Sequence, residues 1–485
     1  MLLKDLLKNV NIMETGADPE MAIKGICFDS RKLQPGDLFV AVSGYETDGH
    51  KYIGDAIAKG AACIVCEQAP EADSAVPCIV TGDSRKLLAE ASAAWFGHPA
   101  KKMRIIGVTG TNGKTTVTTL LKRVLEKCTE KKIGLIGTSA IMIGDKELPA
   151  EYTTPEAYEL HELFAKMLEE GCEFVVMEVS SHALYLSRVF GIEFEVGVYT
   201  NLTQDHLDFH GTMDAYADAK AILFANSRKS AINIDDKYAK IMIKSAAGTV
   251  FSYAVNDGTA DLVGKSVKLY SDKVSFCALT TGSLIRIDVQ IPGMFSVYNA
   301  LSVLSAALLL GLQIDLVTAV LPTCEGVKGR AEVVPVNRDF TVLIDYAHTP
   351  DALENIITTV KGPAKGRVVT LFGCGGDRDN TKRPLMGAIA AKHSDFVIVT
   401  SDNPRTEVPG EIIKEILAGM KISKSKYKVI EDRREAIRWA LDNAQTDDVI
   451  ILAGKGHETY QVLGKEKVHF DEREVVAEYL EKGTI

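Results

Sequence analysis

From Lys101 onward, short runs of consecutive apolar residues alternate with stretches of helical period. MRIIGVTG, KKIGLIG, EFVVMEVS, EVGVYTNL and SAINIDD are runs of the first kind. Strands that are apolar throughout are covered on both faces, so the alternation predicts a mostly parallel sheet flanked by helices. Around residues 249–292 the texture changes: KSVKLYSD, KVSFCAL and IRIDVQIPG alternate apolar and polar positions, which predicts a small antiparallel insert. A long apolar helix over 297–311 follows.

Residues 1–100 mix short β-rich runs (DLFVAVSG, ACIVC, PCIVTG) with helical patterns and end at Gly97 and Pro99, which predict a linker. From Ala331 strand and helix alternate again. Here VLIDYAHTP, VVTLFGCGGDRD, FVIVTSDNPR and VIILAGKGHE each place polar residues just after an apolar strand. Ligands bind beyond the carboxyl ends of strands in doubly wound sheets, so these four loops predict one binding rim.

The sharpest local signal is Gly107-Val-Thr-Gly-Thr-Asn-Gly-Lys-Thr-Thr116, a buried strand running into a glycine-rich turn that opens a helix. Backbone N–H groups of such a turn, Gly110 to Thr116 here, cradle phosphate oxygens at a helix N-terminus. Lys114 is placed to span the β- and γ-phosphates of ATP, and the Thr115 hydroxyl to ligate Mg²⁺. The usual spacing has Gly where this chain has Val108, with Gly107 and Gly110 on either side. The expected fold class is therefore α/β in three domains: 1–100, a central P-loop parallel-sheet ATPase domain over 101–330, and a Rossmann-like doubly wound domain over 331–485.

At 485 residues the chain suits about three domains at ~150 residues each. A net charge of -10 argues against nucleic acid or an anionic membrane as a main partner. Lys4, Asp5 and Lys8 interrupt the apolar residues of 1–12, so neither a signal peptide nor a membrane anchor is expected, and the location expected is cytoplasmic. The nine cysteines are scattered. Cys63 and Cys66 have no second Cys/His pair at zinc-ligand spacing and are expected to be reduced and buried.

Glu178 ends FVVMEV, and a carboxylate at a strand end near a phosphate loop suits a Mg²⁺ ligand. Thr200-Asn-Leu-Thr-Gln-Asp-His206-Leu-Asp208-Phe-His210 crowds two His and two Asp together. A nucleotide site favours a hard cation over zinc there, and a plain polar loop is the other reading. Lys220 of AYADAKAIL reads, without further information, as a helix-surface lysine.

TGTNGKTT, EVSSHAL, NLTQDHLDFHGT, PGMFSVYNALSV, GVKGRAE and IDYAHTPD stand in an order that resembles the Mur ligases, to which folylpolyglutamate synthetase is related. The resemblance covers essentially the whole chain. FDSRKLQPGDLFV from Phe28, Asp48-Gly-His50 and Glu151-Tyr-Thr-Thr-Pro155 are similar to the uridine-nucleotide-binding parts of members that extend UDP-MurNAc-L-Ala-D-Glu. The resemblance implies that ATP phosphorylates the D-Glu carboxylate and that an amino acid's amine attacks the acyl phosphate, in the synthesis of peptidoglycan precursors. It implies catalytic roles for Lys114, His206 and Lys220, the last carried as a carbamate facing Mg²⁺ with Thr115, Glu178 and His206. It implies ATP contacts for Gly110, Thr111, Asn112, Gly113, Lys114, Thr115, Thr116, Asn233, Asp236, Asn299, Arg330 and Asp345. Ser30, Thr153, Thr154, Ser180 and Arg188 are implied to hold the UDP substrate, and a monomer is expected.

DNPR, residues 402–405, matches the signature of members that add meso-diaminopimelate. The resemblance implies that Asp402, Asn403, Pro404 and Arg405, with Arg378, Gly454 and Glu458, bind that amino acid. L-lysine addition and a folylpolyglutamate-synthetase-like reaction are the alternatives.

Overall fold

The computed structural model describes residues 1–8, 10–44, 47–68, 76–324, 326–420 and 426–482. The chain divides into two compact units, Met1–Tyr253 with Ser305–Gln313, and Ala254–Leu304 with Ile314–Ile485. Among the described residues no helix is long and apolar enough to cross a membrane.

The first unit opens with a five-stranded sheet ordered Glu14–Thr15, Cys78–Val80, Cys63–Cys66, Asp37–Val40, Gly25–Cys27. All its pairings are parallel except that of the two-residue edge strand. Cys63 and Cys66 lie on the central strand, fully buried, and burial pushes their thiols up to about 12 and about 11. The chain leaves this layer through Gly97 and His98, both with left-handed backbone, at the predicted linker.

A second sheet follows. β1 (Arg104–Thr109) runs into α1 (Lys114–Thr129), then β2 (Ile133–Ile136), α2 (Ala157–Glu169), β3 (Phe174–Glu178), β4 (Val196–Tyr199), α3 (Met213–Ala225) and β5 (Lys229–Asn233). The spatial order β5-β4-β1-β3-β2 is parallel throughout. Ile105, Ile106 and Val108 of β1 are fully buried, as expected for a strand covered on both faces. Val117, Leu120, Leu121, Val124 and Leu125 form the stripe, at helical spacing, that α1 buries.

One expectation needs correcting. Residues Thr249–Ala254 are not part of the antiparallel insert; they form a further parallel strand, β6, beside β5. Tyr253 explains the difference: it is fully buried and its hydroxyl donates to Tyr199 O at 2.7 Å, which binds the segment to the core. The antiparallel strands are Leu262–Leu269, Val274–Thr280 and Ser283–Val289 of the second unit. The apolar helix spans Met294–Leu309, three residues earlier than its pattern suggested at the start.

The rest of the second unit holds a six-stranded sheet. Its strands run Glu332–Val334, β7 (Thr341–Asp345), β10 (Val449–Ala453), β8 (Val368–Phe372), β9 (Phe396–Val399) and Lys426–Val429 in space. All but the first edge strand are parallel, so the loops after β7, β8, β9 and β10 do emerge on one rim. α4 (Lys382–His393) follows the β8 loop and α5 (Pro409–Met420) follows the β9 loop. These helices cross at two glycines: a Cβ on Gly387 would overlap Ile416 O, and one on Gly419 would overlap Pro384 O. Backbone cannot swing aside as a side chain can. Gly419→Ala should therefore destabilise the protein by about 1–3 kcal/mol through overpacking, read as a lower midpoint in chemical denaturation; an unchanged midpoint would refute this close approach.

Candidate active site

In the first unit β1 delivers the chain to the phosphate-loop motif. Gly110 is required because a Cβ there would overlap Thr200 Oγ1, and Gly113 has φ +89, which glycine adopts without strain. The loop is held from the end of β4. Thr200 Oγ1 donates to Asn112 O at 2.7 Å, Asn112 N donates to Asn201 Oδ1 at 3.0 Å, and Thr111 Oγ1 donates to Thr203 O at 3.2 Å.

Lys114 folds back on this loop, its Nζ donating to Gly110 O and Thr111 O at 2.9 Å each. Lys220 arrives at the same Gly110 carbonyl from α3, with Nζ–O 3.1 Å and 1% of the residue exposed. Tyr216, one turn earlier, sets its ring 4.6 Å from that Nζ and its hydroxyl 3.3 Å from Thr111 Oγ1. Among the described residues no carboxylate lies within 4.0 Å of Lys220. Burial, and then Lys114, push the Lys220 amine well below its ordinary range, with Asp205 partly opposing. Thr115 and Thr116 occupy the first turn of α1 just beyond Lys114.

The sheet register places Glu178 opposite Val108, so its carboxylate stands beside the loop. It is 1% exposed and accepts from Thr138 N at 2.9 Å and Thr138 Oγ1 at 3.1 Å. Both donors are neutral, and no cationic side chain among the described residues pairs with it. Thr138 Oγ1 is also 2.9 Å from Thr153 Oγ1. Thr154 Oγ1 donates to Glu178 O at 2.9 Å and accepts from Ser180 N at 3.1 Å. Ser180 caps the short helix Ser181–Tyr185 by accepting from Ala183 N. Arg188 donates to Thr154 O at 3.0 Å and pairs with Glu156 at 2.8 Å. Thr153, Thr154, Ser180 and Arg188 thus gather around Glu178. Ser30 lies on the loop after Gly25–Cys27, its carbonyl accepting from Lys59 Nζ at 2.7 Å, with no hydrogen bond to that group among the described residues.

His206 has left-handed backbone and a half-exposed ring standing edge-on to His182, centroids 4.8 Å apart. His210 stacks on Tyr216 at 4.9 Å, and its Nε2 is 2.9 Å from Ser181 Oγ. Burial pushes His210 down to about 4, so it is neutral near pH 7. Asn233 Nδ2 donates to Thr200 O at 2.8 Å. Asp236 accepts from Tyr199 Oη, Leu202 N and Tyr238 N at 2.7–2.9 Å. Both residues brace the segment that holds the phosphate loop.

In the second unit Asn299 is buried on the helix Met294–Leu309. Arg330 lies 5.0 Å over the Tyr346 ring. Asp345 ends β7, accepts from Ala331 N and Ala347 N at 2.7 and 2.8 Å, and has its carboxyl raised by burial. On the rim, the DNPR segment is stitched to a hairpin, β11 (Tyr460–Leu463) and β12 (Glu466–His469). Arg405 N donates to Val462 O at 3.1 Å, Gly464 N donates to Arg405 O at 2.8 Å, and Gln461 Nε2 donates to Asp402 O at 2.6 Å. The clamp holds Arg405 at φ +51, unusual for a residue with a Cβ.

The Arg405 guanidinium donates to Gly376 O at 2.7 Å and, among the described residues, faces no carboxylate within 4.0 Å. Asn403 Nδ2 donates to Glu458 at 2.9 Å. Gly454 has φ +114, and a Cβ there would stand 2.7 Å from Asp402 Oδ2. Buried Arg383 ties the β8 and β9 loops together, donating to Gly375 O at 3.1 Å and to both Glu407 oxygens at 2.9 Å. Pro404 is buried, and Arg378 is exposed on the β8 loop. The rim therefore presents an unpaired guanidinium beside a carboxylate–amide pair, a fit for a group carrying both charges.

Thr138, Glu156 and Tyr216 were not anticipated. Tyr216 had a signal, since it precedes Lys220 by four residues and so shares its helix face; Thr138 had none.

Comparison with known proteins agrees along the whole chain. Residues 22–104 match the Mur ligase family catalytic domain, 108–307 the Mur ligase middle domain, and 329–456 the Mur ligase glutamate ligase domain. The UDP-N-acetylmuramoyl-L-alanyl-D-glutamate--2,6-diaminopimelate ligase of Caldanaerobacter subterraneus subsp. tengcongensis is 49% identical over 99% of both chains. A Clostridium acetobutylicum protein of the same name, numbered 1, is 46% identical over 99% of this chain and 100% of its own length. A solved structure of a ligase so named superposes with a TM-score of 0.75 at 31% identity, over 100% of this chain and 99% of that one. The chain belongs to the Mur ligase family.

Proposed function

We propose that this protein is the ATP-dependent ligase that joins meso-diaminopimelate to the D-Glu carboxylate of UDP-MurNAc-L-Ala-D-Glu. The observation that carries the choice of amino acid is Arg405, held by the hairpin with no carboxylate among the described residues within 4.0 Å of its guanidinium. Diaminopimelate offers what lysine lacks, a carboxylate beside its far amine. Arg405 takes the carboxylate in a two-pronged contact, Glu458 and Asp402 face the amine, and Asn403, Gly454 and Arg378 complete the contacts.

The reaction begins with attack of a D-Glu carboxylate oxygen on the γ-phosphorus of ATP, releasing ADP. The amine of diaminopimelate then attacks the acyl carbon, and inorganic phosphate leaves. A free carboxylate would have to expel oxide, so phosphorylation is what makes the carbon reactive. Phosphoryl transfer needs chiefly positioning and charge neutralisation. Lys114 and the N–H groups of Gly110–Thr116 supply both to the phosphates, while Asn233 and Asp236 support the loop from β4's side. Asn299, Arg330 and Asp345 are further residues assigned to ATP on the strength of the family resemblance. Ser30, Thr153, Thr154, Ser180 and Arg188 hold the UDP-linked dipeptide.

No three His, Cys, Asp or Glu side chains among the described residues cluster to cage a metal. That suits Mg²⁺, which typically uses one or two carboxylates and draws its other ligands from phosphates and water. Glu178, which pairs with no cationic side chain among the described residues, and the Thr115 hydroxyl would hold it, with His206 and a Lys220 carbamate as further ligands. Bound Mg²⁺ would supply charge neutralisation to the phosphates. Lys220 fits carbamate formation because its buried amine is pushed toward the neutral form that captures CO₂.

Lys114→Ala should lower kcat by about 10²–10³, as for loss of a preorganised charge donor, with the circular dichroism of the folded protein retained. A kcat within threefold of the parent would remove Lys114 from catalysis. Lys220→Ala should be inactive and partly recover with added short carboxylic acids that refill the anionic position; absence of any carbamate mass on the intact protein under native, bicarbonate-containing conditions would overturn that assignment. Arg405→Ala should lose about 1.5–3 kcal/mol of diaminopimelate recognition, the range for a charged hydrogen bond, or roughly 10- to 100-fold in kcat/KM. Phosphate release with each amino acid tests the whole reading. It fails if the parent enzyme uses L-lysine with a kcat/KM within tenfold of that for meso-diaminopimelate.

A further inference from the structure

Lys455 sits inside the GKGHE loop after β10 with none of its surface exposed. Its Nζ donates to Asn403 Oδ1 at 3.1 Å and to Glu458 Oε2 at 3.1 Å, and lies 5.8 Å from the Tyr460 ring. Asn403 Nδ2 donates to the same Glu458 oxygen at 2.9 Å, closing a triangle. Val462 N also donates to Asn403 Oδ1, at 3.0 Å.

We infer that Lys455 is a positioning residue for amino-acid selection, fixing the Asn403 amide and the Glu458 carboxylate that read the far end of diaminopimelate. The inference rests on the reaction proposed above and assigns a role to a residue that would not itself touch the substrate.

The argument turns on what each atom can do. An amide has one face that accepts and one that donates, and a 180° flip exchanges them. Lys455 Nζ and Val462 N are both donors, so together they require the Asn403 oxygen on their side and drive the NH₂ toward Glu458 and the rim. Val462 alone supplies one such bond. Without Lys455, the orientation and position of the amide would rest on Val462 N and on the bond from Nδ2 to a Glu458 carboxylate that has lost its own anchor.

The second consequence is charge. Among the described residues Glu458 makes its only ion pair with Lys455. Beneath them Arg433 and Glu472, both fully buried, pair at 2.8 Å, and Arg433 lies 3.9 Å from Asp402. Three carboxylates (Asp402, Glu458, Glu472) thus face two cations (Arg433, Lys455), which leaves one negative charge for the incoming ammonium. Removing Lys455 would leave two negative charges uncompensated and the accepting side of the Asn403 amide held by Val462 N alone. The ammonium site would persist, but its geometry and its selection for the adjoining carboxylate would blur.

Lys455→Met keeps the length of the side chain and removes the donor. Steady-state kinetics with each substrate varied should show the KM for meso-diaminopimelate raised about tenfold or more, the KM values for ATP and UDP-MurNAc-L-Ala-D-Glu within twofold, and kcat changed less than the diaminopimelate KM. The preference for meso-diaminopimelate over L-lysine should fall by at least threefold. Lys455→Gln, which can still donate to one of the two oxygens, should lie between Lys455→Met and the parent. Unchanged diaminopimelate KM and preference in a folded variant, or an equal effect on all three KM values, would overturn the inference. Loss of folding in both variants would assign Lys455 to stability alone and would also overturn it. A parent enzyme that does not prefer diaminopimelate would instead refute the reaction itself, so the two failures are distinguishable.

Discussion

Two amines converge on one carbonyl oxygen, that of Gly110, and much of the first unit is arranged to make this possible. Lys114 comes from the helix after the loop and Lys220 from a helix more than one hundred residues later, the latter fully buried. Burying an amine with only a neutral oxygen to bond costs folding free energy, several kcal/mol if it stays charged. A sheet must therefore hold the loop from both sides. The parallel register does so: β3 sets Glu178 opposite Val108, and β4 sets Tyr199 opposite Thr109, so Thr200 and Asn201 emerge against the loop. Lys114 stands on one side of the loop, and on the other the Glu178 carboxylate pairs with no cationic side chain among the described residues. A ligand that neutralises such a site stabilises the folded state by binding it alone.

The rim of the second unit solves a different problem. On the proposed reading its contacts would take a small zwitterion, and they sit on loops, which are looser than strands. Three devices stiffen them. The hairpin Tyr460–His469 pairs with the DNPR segment, Arg383 joins the β8 and β9 loops, and the glycine crossing of α4 and α5 brings the helices behind those loops into backbone contact. Arg405 can then occupy left-handed backbone, because the bonds made by its own N–H and carbonyl specify that conformation.

The spatial order of the strands was not legible, whereas the parallel character of both large sheets was, because apolar runs and their polar ends are local. The same is true of the phosphate loop, where glycine positions and the following GKTT sit within ten residues. Thr249–Ala254 was misread because its burial depends on Tyr253 reaching Tyr199, fifty-four positions away. Lys220 shows the limit most clearly. Nothing in AYADAKAIL says that its helix faces inward at that residue; only the meeting of α3 with Gly110 does. Lys455 was hidden for a further reason. Within GKGHE the lysine reads as an ordinary charged loop residue, and its contact with Asn403, fifty-two residues earlier, exists only in the folded chain.

Selection on this rim follows from an asymmetry in what pockets can reject. A hydrophobic pocket distinguishes one methylene poorly, worth only about 1–3 kcal/mol. A site built to pair a charged group rejects analogues that lack it more strongly, because the protein's own group is stranded. Lysine and diaminopimelate share the chain of carbons and the far amine and differ by a carboxylate, so shape can do little to exclude the smaller molecule. Arg405 can do it, provided that no neighbouring carboxylate satisfies it when lysine arrives. Asp402, Glu458 and Glu472 would be natural candidates for that misdirected pairing. Arg433 pairs with Glu472 and approaches Asp402, and Lys455 engages Glu458, so all three face cations other than Arg405. On the proposed reading the buried cations would serve specificity as well as stability: by occupying the protein's own carboxylates, they would leave Arg405 for the one that only diaminopimelate brings.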